Sequence, residues 1–111
     1  MENSLLLFDE GGAYAGVDVA ACMPGSSLLG VKLVNASSCL FEFEPANNQS
    51  AKRTEITVSF TPGTFKQAMQ AIAGALNSDT MVVVADARNN VFLEYPGGSF
   101  NGTGLDVDEV A

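Results

Sequence analysis

The sequence predicts an α+β fold, with a mainly antiparallel sheet of about six to seven short strands, one helix packed on one face and an extended C-terminal arm. Turn residues recur roughly every 8 to 12 positions through the first half, which is typical of short antiparallel strands. One segment after residue 60 repeats apolar residues at helical spacing. The 111 residues are 47% hydrophobic, which is enough for one core. We assign residues 1–95 to a single domain and residues 96–111 to a flexible acidic arm.

The first half is predicted to be β-structure. Its strands are expected, in order, at residues 4–8, 13–23, 28–34 and 39–44. In the third strand, Leu29, Val31 and Leu33 share one face, with Gly30 and Lys32 opposite. Residues 45–53 have no apolar periodicity and are predicted to be a long exposed loop. An alternative places the first four strands in a second small sheet, which gives a sandwich with a helical flap.

The helix has the strongest local signal. Its apolar stripe recurs at spacings of four, three and four residues and is formed by Phe65, Met69, Ile72 and Leu76. Thr61 as N-cap with Pro62 in the first helical position would bring Phe60 against Phe65 in a hydrophobic staple. A second possible start is a capping box from Thr64 to Gln67. Asn77 is predicted to end the helix.

Three more strands surround the helix, at residues 55–60, 81–85 and 91–95. The first two are predicted to pair in parallel, because a helical crossover makes that connection favourable. Asn89 and Asn90 can supply a turn with positive φ, so the last two strands should form a hairpin.

The charge distribution excludes several functions. Thirteen acidic residues, five basic residues and no histidine give a net charge of −8, which argues against nucleic acid as a partner. Residues 1–31 and 89–111 contain acidic residues and no basic ones, so these flanks are either solvating surface or a docking surface for a basic protein. Without histidine, the commonest nucleophilic and acid–base arrangements and imidazole metal sites are excluded.

Other site types also lack support, so we expect no enzyme activity, no cofactor and no metal. The glycines at 97 and 98 do not lead from a strand into a helix and form no phosphate loop. The acidic residues Asp106, Asp108 and Glu109 lack the framework of a calcium loop. An enzyme that uses carboxylates alone would need a deep pocket that raises the pKa of one of them.

The N-terminal segment predicts no export. It lacks a basic region, and its apolar run from Leu5 to Phe8 is too short for a signal peptide or a membrane span. The expected compartment is therefore the cytoplasm, where Cys22 and Cys39 should be buried free thiols.

The predicted arm, residues 96–111, is rich in glycine and carries few apolar side chains. These cannot offset the entropy of ordering the segment on its own domain, so we expect it to become ordered only when it adds a strand to a neighbour. The predicted partner interface combines the apolar residues of both flanks: Leu5, Leu6, Phe100, Leu105, Val107 and Val110.

A longer segment resembles small structural proteins of tailed phages. It runs TEITVSFTPGTFKQAMQAIAGALNSDTMVVVADARNNVFLEY, preceded by SSLLGVKLVNASSCLFEFEP, and the resemblance covers about residues 28–95. It implies a non-enzymatic virion protein, assembled in the host cytoplasm, that self-associates and docks on a larger capsid lattice as a decoration (cement) or head-accessory subunit. No functional residue is carried over. The alternative is a small acidic binding or regulatory module that covers a basic protein surface.

Overall fold

The structure, a computed structural model, describes residues 4–11, 20–44 and 53–110, without the side chains of 109 and 110. Within these residues it contains nine strands, one α-helix and one 3-10 turn. They are β1 (Leu5–Asp9), β2 (Ala20–Pro24), η1 (Gly25–Ser27), β3 (Leu28–Asn35), β4 (Ser38–Phe43), β5 (Arg53–Phe60), α1 (Phe65–Leu76), β6 (Met81–Asp86), β7 (Val91–Phe92), β8 (Glu94–Tyr95) and β9 (Gly98–Val110). The α+β class is confirmed, but the strands exceed the six to seven expected.

The strands form two sheets rather than one. The first has the order β2-β1-β6-β7, and the second has the order β3-β4-β5-β9-β8. All the neighbouring pairs are antiparallel except β1 with β6. The expected parallel pair of β5 with β6 is therefore wrong, because the helix carries the chain from one sheet to the other and β6 pairs with β1 instead.

The core lies between the two sheets. Strict alternation in β4 and β5 turns every second side chain inward, and Phe41, Phe43 and Ile56 are fully buried there. Phe8 of the first sheet contacts Phe41 of the second edge-on, with ring centroids 5.2 Å apart. Aromatic pairs in this geometry stabilise a core by more than the burial of their apolar surface alone.

The helix begins later than the first predicted cap. Thr61 and Thr64 are joined across a turn in which Gly63 has a φ of 80°, and the Thr64 N–H donates to the Thr61 carbonyl oxygen at 3.3 Å. The helix starts after Thr64, so Thr61 is not the N-cap. The second predicted start, at Thr64, is correct in position, but the Thr64 side chain makes no capping hydrogen bond to the helix. The rings of Phe60 and Phe65 do contact each other, with their centroids 5.9 Å apart. The helix ends at Asn77 as predicted.

The predicted helix stripe is only partly correct. Ile72 is buried, but Phe65 and Met69 are half-buried, because the face that meets the core is centred on Ala68 and Ala75. These small side chains let α1 approach the strands beside it, β8 and β9.

Leu93 joins the two sheets at one side of the sandwich. It lies between β7 of the first sheet and β8 of the second. Its N–H donates to the Val84 carbonyl oxygen at 3.0 Å, and its own carbonyl oxygen accepts from the Phe100 N–H at 2.9 Å. The expected hairpin therefore forms between β6 and β7, with Asn90 at a φ of 57°, and the chain then crosses to the other sheet.

The expected C-terminal arm is instead a long strand of the second sheet. β9 pairs with β5 along most of its length and with β8 at its start. Its glycines serve the fold: Gly104 has a φ of 70° where β9 bulges, and a Cβ at Gly102 would lie 3.2 Å from the Phe92 ring. The prediction failed because these glycines were interpreted as a source of mobility, whereas they permit a bulge and a close contact.

Two further expectations concern segments that lie partly outside the described residues. The predicted strand at 13–23 is described only from Ala20, where β2 begins. The predicted loop at 45–53 lies outside the described residues except for Arg53, which belongs to β5. The alternative of a sandwich agrees with the two sheets, but β3 and β4 pair with β5 rather than with β1 and β2.

Candidate assembly surface

The structure places most of the predicted interface residues in the core. Four of them are buried: Leu6, Phe100, Leu105 and Val107. They cannot contact a partner in this fold, since they fill the space between the two sheets. Leu5 is half-buried in a strand that is paired on both sides, and the side chain of Val110 lies outside the described residues.

An exposed apolar surface lies instead on β3. Leu29, Leu33 and Val34 are 57%, 51% and 54% exposed. Leu33 pairs with Cys39, which is buried, so Leu33 lies on the inner face of its sheet at a point that the opposite sheet does not cover. The sequence carries a signal for this surface, because Leu28-Leu29 and Leu33-Val34 place apolar side chains on consecutive positions, which one buried face cannot accommodate.

The backbone of β3 adds to this surface. β3 is the last strand of its sheet, and within the described residues it pairs only with β4. Its pairing is regular from Gly30 to Leu33 and is irregular on either side, at Leu29 and Val34. An unpaired row of N–H and C=O groups is a template for adding another strand.

Three carboxylates lie side by side on the outer face of the same sheet. Glu42 pairs with Glu55, and Glu55 pairs with Asp108, on three adjacent strands. Arg53 lies close to the first two, at 3.4 Å from Glu42 and 3.0 Å from Glu55. Among the described residues it is the one cation that forms ion pairs in this row. We call Glu42, Glu55 and Asp108 the acidic row.

The other boundary of this sheet is closed by a side chain. Beyond β8, the outer side of β9 has no strand partner among the described residues. The Glu10 carboxylate accepts a hydrogen bond there from the Val107 N–H. Nearby, the Asp9 carboxylate accepts from the Arg88 guanidinium at 3.0 Å. These contacts tie the ends of β1 and β6 to β9.

The carboxylates at this end of the molecule fix turns. Asp86 is buried, and its Oδ1 accepts from the N–H groups of Arg88 at 3.0 Å and Asn89 at 3.1 Å. Asp9 accepts in the same way from the Gly11 N–H at 2.9 Å. In the described part of the chain, no group of three or more Cys, Asp or Glu side chains is placed to hold a metal ion.

The two cysteines have different environments and form no disulfide. Cys39 is buried, as expected, and burial raises the pKa of its thiol to about 12. Cys22 is exposed, which corrects the expectation of two buried thiols, because it alternates along β2 with the buried Met23 and faces away from the core. Partial desolvation raises the pKa of its thiol to a lesser extent.

A shallow groove of about 370 Å³ lies between α1 and β8. Its lining includes Gln67, Gln70 and Ala71 from the helix and Tyr95 from the strand. The Tyr95 hydroxyl lies 2.8 Å from the Thr64 hydroxyl, so this group already has a partner and holds the start of the helix against β8.

No helix within the described residues is long and apolar enough to cross a membrane.

Comparisons of the chain with protein families, with curated proteins and with solved structures found no match.

Proposed function

We propose that this chain is a structural subunit that self-associates and docks on a larger protein assembly, with the β3 edge as its self-association surface. The observation that carries the proposal is the exposure of Leu29, Leu33 and Val34 on a strand with an open edge. A bound strand would satisfy the backbone of β3 and remove these side chains from water, so hydrogen bonding and apolar burial both favour association.

The kind of assembly is proposed from the resemblance to small structural proteins of tailed phages. In that setting the chain would be a capsid decoration or head-accessory subunit, and its role would be structural rather than catalytic. The two-sheet core supports such a role, since a subunit that carries a contact edge must hold it rigid.

A second candidate, an acidic module that covers a basic protein surface, is favoured by one observation. The acidic row and the neighbouring Asp106 give the outer face of the second sheet an excess of negative charge, which Arg53 offsets only in part. Such a module would be monomeric alone and would bind a polycation such as polylysine with strong salt dependence.

Sedimentation velocity over a wide concentration range tests the proposal and separates it from this alternative. We expect wild-type chains to form oligomers as concentration rises. Leu33→Glu should weaken self-association, because it places a charge on the apolar edge. Val91→Glu is the matched control, since Val91 is 48% exposed on the outermost strand at the other side of the molecule and should leave association unchanged. A wild-type chain that stays monomeric throughout would overturn self-association.

A further inference from the structure

We propose that the self-contact is formed by β3 of two copies, paired antiparallel about a twofold axis that passes beside Val31. This inference rests on the proposed self-association and specifies the partner, a second copy of this chain, and its register. It depends on the symmetry of the pairing, on the position of Lys32 and on the absence of a side chain at Gly30.

Symmetry limits the possible registers. A twofold axis that relates two adjacent antiparallel strands is perpendicular to the sheet, so the inner face of one copy continues into the inner face of the other. Because side chains alternate along a strand, the axis must then pass beside a residue rather than between two residues. For the strand Leu28–Asn35, axes at Val31 and at Lys32 give the longest overlaps.

Charge selects between these two registers. An axis at Lys32 would place the two Lys32 side chains directly opposite each other, which is repulsive. An axis at Val31 places Val31 opposite its own copy and Lys32 opposite Gly30 of the second copy. Leu33 then lies beside Leu29 of the second copy, so both exposed leucines gain apolar contacts on the inner face.

The Val31 register also brings Lys32 to an acidic partner. Gly30 pairs with Glu42 within each chain, so on the joined outer face Lys32, Gly30 of the second copy and Glu42 of the second copy form one line. Lys32 and Glu42 of the second copy stand at the two ends of this line, about 10 Å apart, which is two strand spacings. The flexible Lys32 side chain can cross the glycine and reach the acidic row. Lys32 is exposed, and no carboxylate of the described residues pairs with it within the chain.

Contacts among the described residues of the single chain give no role to Gly30. Its φ is not positive, and a Cβ built on it would meet nothing within 4 Å. A glycine in a strand weakens it and commonly marks a place where another group approaches closely. In the proposed pair, that group is the Lys32 stem of the second copy. Gly30, Val31 and Lys32, the three residues centred on this axis, all lie in the regular part of the β3 strand.

A crosslink tests the register. In a Cys22→Ser background, Val31→Cys should form a disulfide-linked dimer on mild oxidation, since residues at the axis have Cα atoms about 5 Å apart, within disulfide range. Lys32→Cys is the matched control. Its two copies would be roughly 8 Å apart, which exceeds that range, so it should stay unlinked. Linkage of Lys32→Cys as efficient as that of Val31→Cys would overturn the register.

Charge exchange tests the ion pair. Lys32→Glu should raise the dimer dissociation constant at least about tenfold, because two attractive contacts become repulsive. The double variant Lys32→Glu/Glu42→Lys should recover most of the loss. Urea unfolding of each variant at a concentration where all are monomeric shows whether the fold itself is unchanged.

The outcomes separate this inference from the proposal it rests on. If the wild-type chain dimerises but Val31→Cys does not crosslink, or if the charge exchange does not restore association, the β3 register is overturned while self-association stands. If the wild-type chain is monomeric at every concentration, both are overturned.

Discussion

The five-stranded sheet has two boundaries, and they differ in every property that governs contact with another chain. At the β3 boundary, apolar side chains are half exposed and the backbone edge is open within the described residues. At the β9 boundary, Leu105 and Val107 are buried, and Glu10 accepts from the Val107 N–H. Carboxylates on β9 add negative charge there, whereas the charged residue on β3 is Lys32.

The difference shows how one sheet can block strand addition at one edge and allow it at the other. A carboxylate bonded to an edge N–H removes a donor that another strand would need, and its charge repels an acidic copy of the same chain. Among the residues that the structure describes, no side chain caps β3 in this way. A chain with a net charge of −8 associates with itself more readily through a strand that carries no acidic residue, and β3 contains Lys32 and no aspartate or glutamate.

Removing β9 should have the largest effect on the molecule. Deletion of residues 96–111 exposes one side of β5 and removes Phe100 and Val107 from the core. We expect loss of the cooperative thermal transition measured by circular dichroism, since so much apolar surface is lost from one side of the sheet. A truncated chain that melts cooperatively near the wild-type midpoint would show that β9 is dispensable and that the two boundaries are alike in their contribution to folding.

A pair of identical substitutions compares the boundaries directly. Val107→Ala should lower the free energy of unfolding by about 2–3 kcal/mol, because Val107 is buried. Val34→Ala, at a valine that is 54% exposed, should change it by less than about 0.5 kcal/mol. Urea titration of both variants at low concentration measures the difference, and equal losses would contradict the contrast between the two boundaries.

The cap on β9 is tested at Glu10. Glu10→Ala leaves the Val107 N–H without its acceptor and should cost about 1–2 kcal/mol by urea titration. Glu10→Gln retains a side-chain oxygen that can accept, so its loss should be smaller. If Glu10→Ala also increases self-association, the carboxylate prevents other strands from pairing with this edge. If the free energy of unfolding is unchanged in Glu10→Ala, the hydrogen bond from the Val107 N–H does not stabilise the β9 boundary.

A last comparison concerns Cys39, which is buried on β4 opposite Leu33 of β3. Its pKa of about 12 in the folded chain lies above the ordinary value of 9.0, so the folded state binds the thiol proton more tightly than the unfolded state does. This contribution to stability is complete below pH 9 and is lost as pH rises from 9 toward 12. The free energy of unfolding should therefore fall less steeply over that interval in Cys39→Ala than in wild type. Parallel profiles would contradict the burial of the thiol.

Local features of the fold were predictable where they depend only on residues that are neighbours in the sequence. The helix stop at Asn77 and the turn at Asn90 were both predicted, and Asn90 adopts the positive φ that asparagine tolerates. In β4 and β5, the alternation of apolar and polar residues that is visible in the sequence matches the burial of Phe41 and Ile56. For the start of the helix the sequence left two positions open, because Thr61 and Thr64 both fit a cap. The second is the observed one, and there the Thr64 hydroxyl contacts the Tyr95 hydroxyl, a residue distant in the sequence.

The sheet assignment and the contact surface were not predictable in the same way. Alternation shows which side chains of a strand share a face, but it does not show which strand is the neighbour, so the pairing of β1 with β6 was missed. The exposure of Leu33 depends on how far the opposite sheet extends. The apolar residues of β9 were assigned to a partner because the strand that covers them, β5, is distant in the sequence.

The position of Leu93 has a consequence for how the chain reaches its native state. The two sheets meet at this residue, whose backbone bonds Val84 in one sheet and Phe100 in the other. The pairing of β1 with β6 also joins segments far apart in sequence, and such closures slow folding because the loop entropy is lost before the contacts form. During synthesis β5 keeps one side unpaired until residues 98–110 have left the ribosome. In that interval the nascent chain exposes a second apolar edge, at β5, and is most prone to join the wrong neighbour.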